Sequence, residues 1–388
     1  MLDRPSVFVG VNILTSERSE RSNIQTIQQM VLTIIVAFIS LISLFILHEF
    51  GHFILAKLFG VSVEEFGIGY PPRLFGKKIG QTLYSLNLLP FGAFVKIPGE
   101  IEKIEQPRSF SSQPVGKRAL IVFGGVLSFW IISAILFSIV FSLGAEMTIG
   151  DEETKNVINP KVQIADVAAD SPAQIVGLKV GDIIKEFRIQ NLEFRIEKVK
   201  EIQEFTEKYK GEEITLTIER GKEVFDVKLT PRVSPPAGEG PIGIALVRTG
   251  TKVYPWWLSP WQGALTTVKM TGVVIEGYYL AIKNSFLGQP SGIELMGPVG
   301  IFHLFVQASE LGVSYFLQFI GMIAIYVALF NILPIPSVDG GKLLFLGIEA
   351  IRKKPINPKT EQNITATFFI FLVALSILVA IKDLSRIF

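Results

Sequence analysis

Four long stretches of this chain are almost free of charge, and they constrain its fold more than any other property of the sequence. The first runs from Val31 to Leu47 and continues through His48-Glu49-Phe50-Gly51-His52 to Phe59. The second covers about Ala119 to Leu143, the third about Val313 to Pro334, and the last about Ile364 to Ile381. A helix rises ~1.5 Å per residue and a bilayer core is ~30 Å thick, so about 20 apolar residues cross it. Hydrocarbon offers no partner to open backbone groups, so runs of this length must fold as helices. Hydrophobic residues make up 49% of the 388 residues and charged ones only 19%, a balance that suits lipid rather than water. The expected fold is a multi-pass α-helical membrane protein of about four transmembrane helices, with a membrane-associated β-hairpin and one inserted α+β domain.

The remaining segments divide the chain. Residues 1–29 read as a polar N-terminal extension carrying Arg4, Arg18 and Arg21, not as a signal peptide, with Met30 a candidate natural start. Residues 30–149 and 251–388 form two parts of a membrane core, separated by a charged, β-branched, turn-rich insert at 150–250. Between the first two spans, Thr82–Leu89 and Phe91–Ile97 read as the two strands of a β-hairpin turned at Pro90 and Gly92. Strands are expected in the insert at Val162–Val167, Ile214–Ile218, Val224–Leu229 and Pro241–Leu246, with a helix at Val199–Lys208. Pro260–Phe286 reads as an interfacial amphipathic helix, because Trp256, Trp257 and Trp261 mark its entry. Basic residues between Arg73 and Arg118, and between Lys342 and Lys359, put both loops on the cytoplasmic side and the insert outside.

Composition also excludes whole classes of chemistry. The chain has no cysteine, so disulfides and thiolate metal sites are ruled out. A net charge of +2 gives no argument for a nucleic-acid partner. Any transition metal must be held by imidazole and carboxylate, and there are only 3 histidines. Two of them form H-E-x-x-H at His48–His52. On a helix, positions four apart share a face, so both imidazoles can meet one ion with Glu49 beside them. Ionisable groups inside an apolar helix cost about 2.5–3.5 kcal/mol each at mid-membrane, which makes an idle cluster there hard to sustain.

A catalytic zinc keeps three protein ligands and one open position. The third ligand is expected from Asn331-Ile-Leu-Pro-Ile-Pro-Ser-Val-Asp-Gly-Gly341. Pro334 and Pro336 break a helix there, and Gly340 and Gly341 let backbones approach, so Asp339 sits at a helix end where it can be aimed at a metal. Asn331 either hydrogen-bonds an extended substrate or satisfies carbonyls freed by Pro334. His303 lacks a paired ligand at helical spacing and reads as packing or interfacial. Glu49 is the remaining ionisable group of the motif, beside the two imidazoles.

These motifs in this order, with Gly92-Ala-Phe-Val-Lys-Ile-Pro-Gly-Glu100, resemble the bacterial site-2 protease family of intramembrane zinc metalloproteases. The resemblance covers about residues 30–388. It implies that His48, His52 and Asp339 ligate Zn2+ and that Glu49 is catalytic. Asp170-Ser-Pro-Ala173, Val176-Gly-Leu178 and Gly181-Asp-Ile-Ile184 likewise resemble a bacterial protease PDZ domain, which implies a peptide ligand for the insert. The expected partners are the lipid bilayer and single-span membrane proteins cut within their transmembrane segments, in a bacterial inner membrane with the active site towards the cytoplasm. The competing readings are a catalytically silent scaffold that binds membrane proteins through its PDZ-like domain, and a metal transporter, which should show further intramembrane ligands.

Overall fold

The structure, a computed structural model, describes residues 34–102, 104, 106–154, 157–221, 223–236, 238–288, 297–310 and 312–387. The N-terminal extension expected at 1–29 lies outside the described residues. The chain forms two compact units: one of residues up to Ser138 together with those from Pro260 onward, the other Ile139–Ser259.

In the first unit, four helices are long and apolar enough to cross a membrane: α1 (Ile34–Leu58), α2 (Val115–Leu143), α7 (Val313–Ile332) and α9 (Pro358–Ile387). Their sequences also say where they stop. After α1, Gly60 takes φ +74°, Gly60 N–H reaches Lys57 O, and Val61 N–H reaches Ala56 O. That left-handed glycine closes the last carbonyls of the helix. Gly144, at φ +106°, follows α2. Pro334 lies just beyond α7, and a short α8 (Asp339–Arg352) begins after it. Packing between α1, α2, α6 (Pro298–Glu310) and α7 centres on Ala37, Leu44, Val126, Phe129, Phe305, Ile320 and Ala324.

The sheet of this unit differs from the expected hairpin. Its strands are β1 (Glu65–Ile79) and β2 (Thr82–Lys96), joined at Gly80 and Gln81 rather than at Pro90 and Gly92. Glu65 faces both Leu83 and Lys96, and Ile68 faces both Leu86 and Ala93, so 65–68 lies between two stretches of β2. Residues 75–79 pair with 82–86 on the far side. The 82–86 and 93–96 stretches therefore do not pair with each other. Pro71-Pro72 and the glycines of β1 hide its alternation, so the sequence pattern points to a hairpin within 82–97 instead.

Helix α5 (Ser259–Phe286) occupies the stretch expected to be interfacial. Its inward face carries small or hydroxyl residues: Gly263 is pressed against Ala134 and Ser138 of α2, and Thr267 meets Ser133. Large apolar residues such as Val268, Val273, Ile275 and Ile282 point outward. Lys269, Glu276 and Lys283 are exposed on the same helix, so its outward side mixes apolar and charged residues.

The second unit is an antiparallel sheet in the order β3-β9-β4-β5-β7-β8, with β6 on β5. The strands are β3 (Ala145–Thr148), β4 (Val157–Val167), β5 (Ile183–Ile189), β6 (Leu192–Arg195), β7 (Ile214–Arg220), β8 (Glu223–Leu229) and β9 (Ile244–Lys252). Helices α3 (Pro172–Ile175) and α4 (Val199–Lys208) cover a core of Val162, Ile164, Ile184, Phe187, Leu216 and Ile218. Ser171 caps α3 by accepting the Gln174 N–H, with Pro172 in the first turn, where its missing N–H costs nothing. Asp182, buried, accepts Arg220 Nη2 at 2.7 Å and the Lys179 N–H at 2.9 Å.

Candidate metal centre

Helix α1 carries His48, Glu49 and His52 on one face, and the neighbouring helix must come very close for that face to be enclosed. It does so through glycine. A Cβ added at Gly51 would strike the Gly124 carbonyl, and one at Gly124 would lie 2.8 Å from Gly51 O. The two backbones are in contact, as small residues permit between membrane helices. One residue on, a Cβ at Gly125 would lie 2.5 Å from His52 Cε1 and 2.6 Å from His48 Cε1, and closer still to His52 Nε2. The bare backbone of Gly125 is therefore one wall of the centre. Phe129, a turn later, stacks on the His48 ring at 4.7 Å.

The third side chain arrives from α8. The chain leaving α7 doubles back through 333–338, with Ile335 N–H to Leu333 O at 2.7 Å and Ser337 N–H to Ile335 O at 2.8 Å. A Cβ at Gly340 would lie 2.5 Å from Ile332 C, and one at Gly341 2.5 Å from Pro336 Cα. Only a glycine pair lets α8 start this close to the end of α7. Asp339 occupies the first turn of the new helix.

The donors converge. His48 Nε2 and His52 Nε2 are 3.3 Å apart, and Asp339 Oδ2 lies 3.4 Å from the first and 3.5 Å from the second. Four ligands ~2.0–2.1 Å from a tetrahedral zinc sit about 3.3–3.4 Å from one another, so the three atoms have the spacing of ligands around one ion. His52 Nδ1 lies 3.0 Å from Ile121 O. A carbonyl only accepts, so Nδ1 carries the proton and Nε2 is left with its lone pair facing the pocket. Asp339 Oδ2 is buried without a hydrogen bond. Such an orphan is costly unless a cation occupies the space it faces. Glu49 also offers an oxygen within 4.8 Å of the two rings, yet Asp339 Oδ2 is the nearer one. The donor set fits zinc.

These groups open on a cavity of about 590 Å³ lined by His48, Glu49, Asn331 and Asp339, by Glu100 and Lys342, and by Gln362, Thr365 and Phe369 of α9. Asn331 Nδ2 donates to Val327 O at 2.9 Å, one turn back in its own helix, which fixes the amide at the cavity wall. The Val95 backbone lies beside the Glu49 carboxyl group. Lys342 Nζ ties α8 to Glu100 O at 2.8 Å and to Glu361 Oε1 at 2.9 Å. Arg118 of α2 clasps Glu349 of α8 through both of its terminal nitrogens, at 3.1 and 2.5 Å. His303 lies in α6, and its side chain is outside the described residues.

Sequence reasoning missed Gly125, Phe129, Glu100, Lys342 and the Arg118–Glu349 clasp. The pair Gly124-Gly125 inside an apolar run was the available signal. The others look like ordinary core or solvated residues until the helices are assembled.

Comparison with known proteins agrees with this geometry. The model of peptidase family M50 matches residues 36–375, which include every group named at the centre. A Clostridium perfringens protein named "Putative zinc metalloprotease CPE1693" is 32% identical over 345 residues, covering 87% of this chain and 94% of that one. "Zinc metalloprotease RasP" of Oceanobacillus iheyensis is 26% identical over 434 residues, covering 88% and 96%. Among solved structures, the PDZ domain of an SdrC-like protein of Listeria monocytogenes is similar over 24% of this chain and 92% of that one, at 22% identity and a TM-score of 0.20. A match over most of the chain, together with a three-donor centre between apolar helices, leads to one conclusion: the chain belongs to peptidase family M50, the site-2 proteases, and is a multi-pass membrane zinc metalloprotease.

Proposed function

We propose that the protein is an endopeptidase that cuts transmembrane segments of other membrane proteins, with His48, His52 and Asp339 holding the zinc and Glu49 as general base. The observation that carries this reading is the convergence of three donor atoms at 3.3–3.5 Å inside a bundle of membrane-length helices. When bound, zinc supplies Lewis acidity, polarising a scissile carbonyl and acidifying a water. The Glu49 carboxylate takes a proton from the attacking water and returns it to the leaving nitrogen. His52 is held by Ile121 O so that its ring cannot turn away, and Phe129 holds the plane of His48.

A transmembrane substrate hides its amides in helical hydrogen bonds and must unwind to be cut. The 93–96 stretch of β2 is paired on one side only among the described residues, and it passes beside Glu49 at Val95. An unwound substrate added to that edge would present its backbone to the centre. The β1–β2 sheet would then be membrane-associated, with α1 and the sheet sharing the wall of the site. Asn331 is placed to hold the same strand. The basic loops put the metal centre towards the cytoplasm of a bacterial inner membrane. The second unit lies outside it, as a PDZ-like domain whose groove of about 740 Å³ between α4 and β9 takes a peptide.

Glu49→Gln keeps the shape and removes the base. Purified in detergent, it should hold zinc in the stoichiometry of the wild type and lose cleavage of a panel of single-span substrates by about 10²–10⁴-fold. Undiminished turnover would remove Glu49 from the mechanism, and a zinc-free wild type would remove the centre itself.

A further inference from the structure

Charged groups near the cavity are almost all spoken for. Lys342 serves Glu100 O and Glu361, and Arg118 serves Glu349. The Glu100 carboxylate, which lines the same cavity, has no hydrogen bond or ion pair among the described residues. Its placement is not loose. Gly99 turns the chain at φ +83° so tightly against the next loop that a Cβ there would lie 2.7 Å from Ser111 Oγ. Glu100 N–H reaches Ile97 O at 3.3 Å, and Lys342 holds Glu100 O from the other side.

The side chain lies where two cavities meet. It lines the 590 Å³ space of the metal centre and an adjoining one of about 260 Å³. It stands in the field of His52 and Asp339 on one hand and of Lys342 and Glu361 on the other, and burial pushes its carboxyl above the ordinary range. Glu100 is partly enclosed, and its unpaired carboxylate, facing these cavities, gains a charge-assisted hydrogen bond when a cation reaches it. The walls around it, Ile101, Phe345 and Phe369, are apolar. An apolar stretch of polypeptide with a cationic nitrogen beside it matches that lining.

We propose that Glu100 is a cation-accepting subsite of the protease, taking an ammonium or guanidinium group of the substrate chain. This rests on the protease reading above. Two sources carry the chemistry: the amine released by the cut, and a Lys or Arg flanking the transmembrane segment, where such residues are concentrated.

The test uses the full-length zinc-loaded protein in detergent, with Glu100→Gln and Glu100→Asp. In one arm, a cleaved single-span substrate is compared with versions whose basic residues near the cut are changed to Gln. In the other, the product fragment with a free new N-terminus is compared with its acetylated form for binding to the Glu49→Gln protein, with and without Glu100→Gln. With an intact Glu100, one of the cationic forms should be favoured by about tenfold or more, as a charge-assisted hydrogen bond supplies. Glu100→Gln should erase that preference at unchanged zinc content, and Glu100→Asp should restore part of it. The arm that responds names the source. If neither arm shows a preference, or the Gln variant keeps it, the assignment is wrong. A wild type that cuts nothing overturns the protease reading instead, and binding of a synthetic apolar peptide with a free or an acetylated N-terminus then still reads Glu100.

Discussion

Replacing Gly125 with alanine adds one methyl group to the wall of the metal centre, and its effect can be worked out from the coordinates. The new carbon would sit 2.5 Å from His52 Cε1 and 2.6 Å from His48 Cε1. Both are roughly 1 Å inside ordinary carbon–carbon contact. His52 cannot swing aside without losing Ile121 O, and His48 is backed by Phe129. A zinc site tolerates shifts of only about 0.2 Å in its ligand distances, so a displacement several times larger should expel the ion. The overpacking itself should cost ~1–3 kcal/mol of stability. Zinc content by mass spectrometry of the purified protein is the direct assay, with cleavage and thermal unfolding beside it. Gly116→Ala in the same helix meets nothing within 4 Å and serves as the control. It should keep zinc and gain up to about 1 kcal/mol from helix propensity. A Gly125→Ala protein with full zinc and full activity would refute the claim that this backbone borders the centre.

Two further outcomes concern the framework. Arg118→Leu should leave the half-buried Glu349 unpaired, costing ~2 kcal/mol in thermal unfolding and weakening zinc retention as α8 shifts, whereas Arg118→Leu with Glu349→Leu should recover most of the loss. In the second unit, burial alone would raise the Asp182 carboxyl, but Arg220 and the Lys179 N–H outweigh it and hold the group below the ordinary carboxylate value. The folded state thus binds the Asp182 proton more weakly than the unfolded state. The resulting stability is complete above the unfolded value of about 3.9 and disappears as pH falls through the folded one. Asp182→Asn should cost ~2 kcal/mol at neutral pH, allowing for the exposure of Arg220, and the difference from wild type should vanish in strong acid. Limited proteolysis within residues 139–259 of the intact protein, by trypsin near neutrality and by pepsin in acid, reads both.

What was legible in the sequence depended on whether a signal was local. The four long helices follow from run length alone, because lipid exposes apolar surface that water would force into hiding. His48 and His52 were legible because four residues make a turn. Asp339 was legible because two prolines and two glycines mark a broken helix wherever it packs. Strand β1 was not, since Pro71-Pro72 and its glycines interrupt the alternation that identifies strands. Helix α4 was, because Val199–Lys208 has one clear apolar face. The contact of Gly125 with both imidazoles depends on how α1 crosses α2, and no periodicity reports a crossing point. Glu100 sits in a polar loop, where a lone carboxylate looks like any surface charge; only the folded chain shows that it borders the cavity of the metal centre.

The proposed donors of the centre lie far apart along the chain. His52 leaves the ribosome roughly 290 residues before Asp339, which at about 5–20 residues per second is a wait of some 15–60 s. During that interval the imidazoles lack the proposed third donor, and the second unit, Ile139–Ser259, is synthesised in between. Metal loading is therefore a late event in biogenesis. With Asp339 as the proposed third ligand, a translation product that stops before residue 339 should hold no zinc at this centre and cut nothing, a result that zinc content of such truncated chains would check.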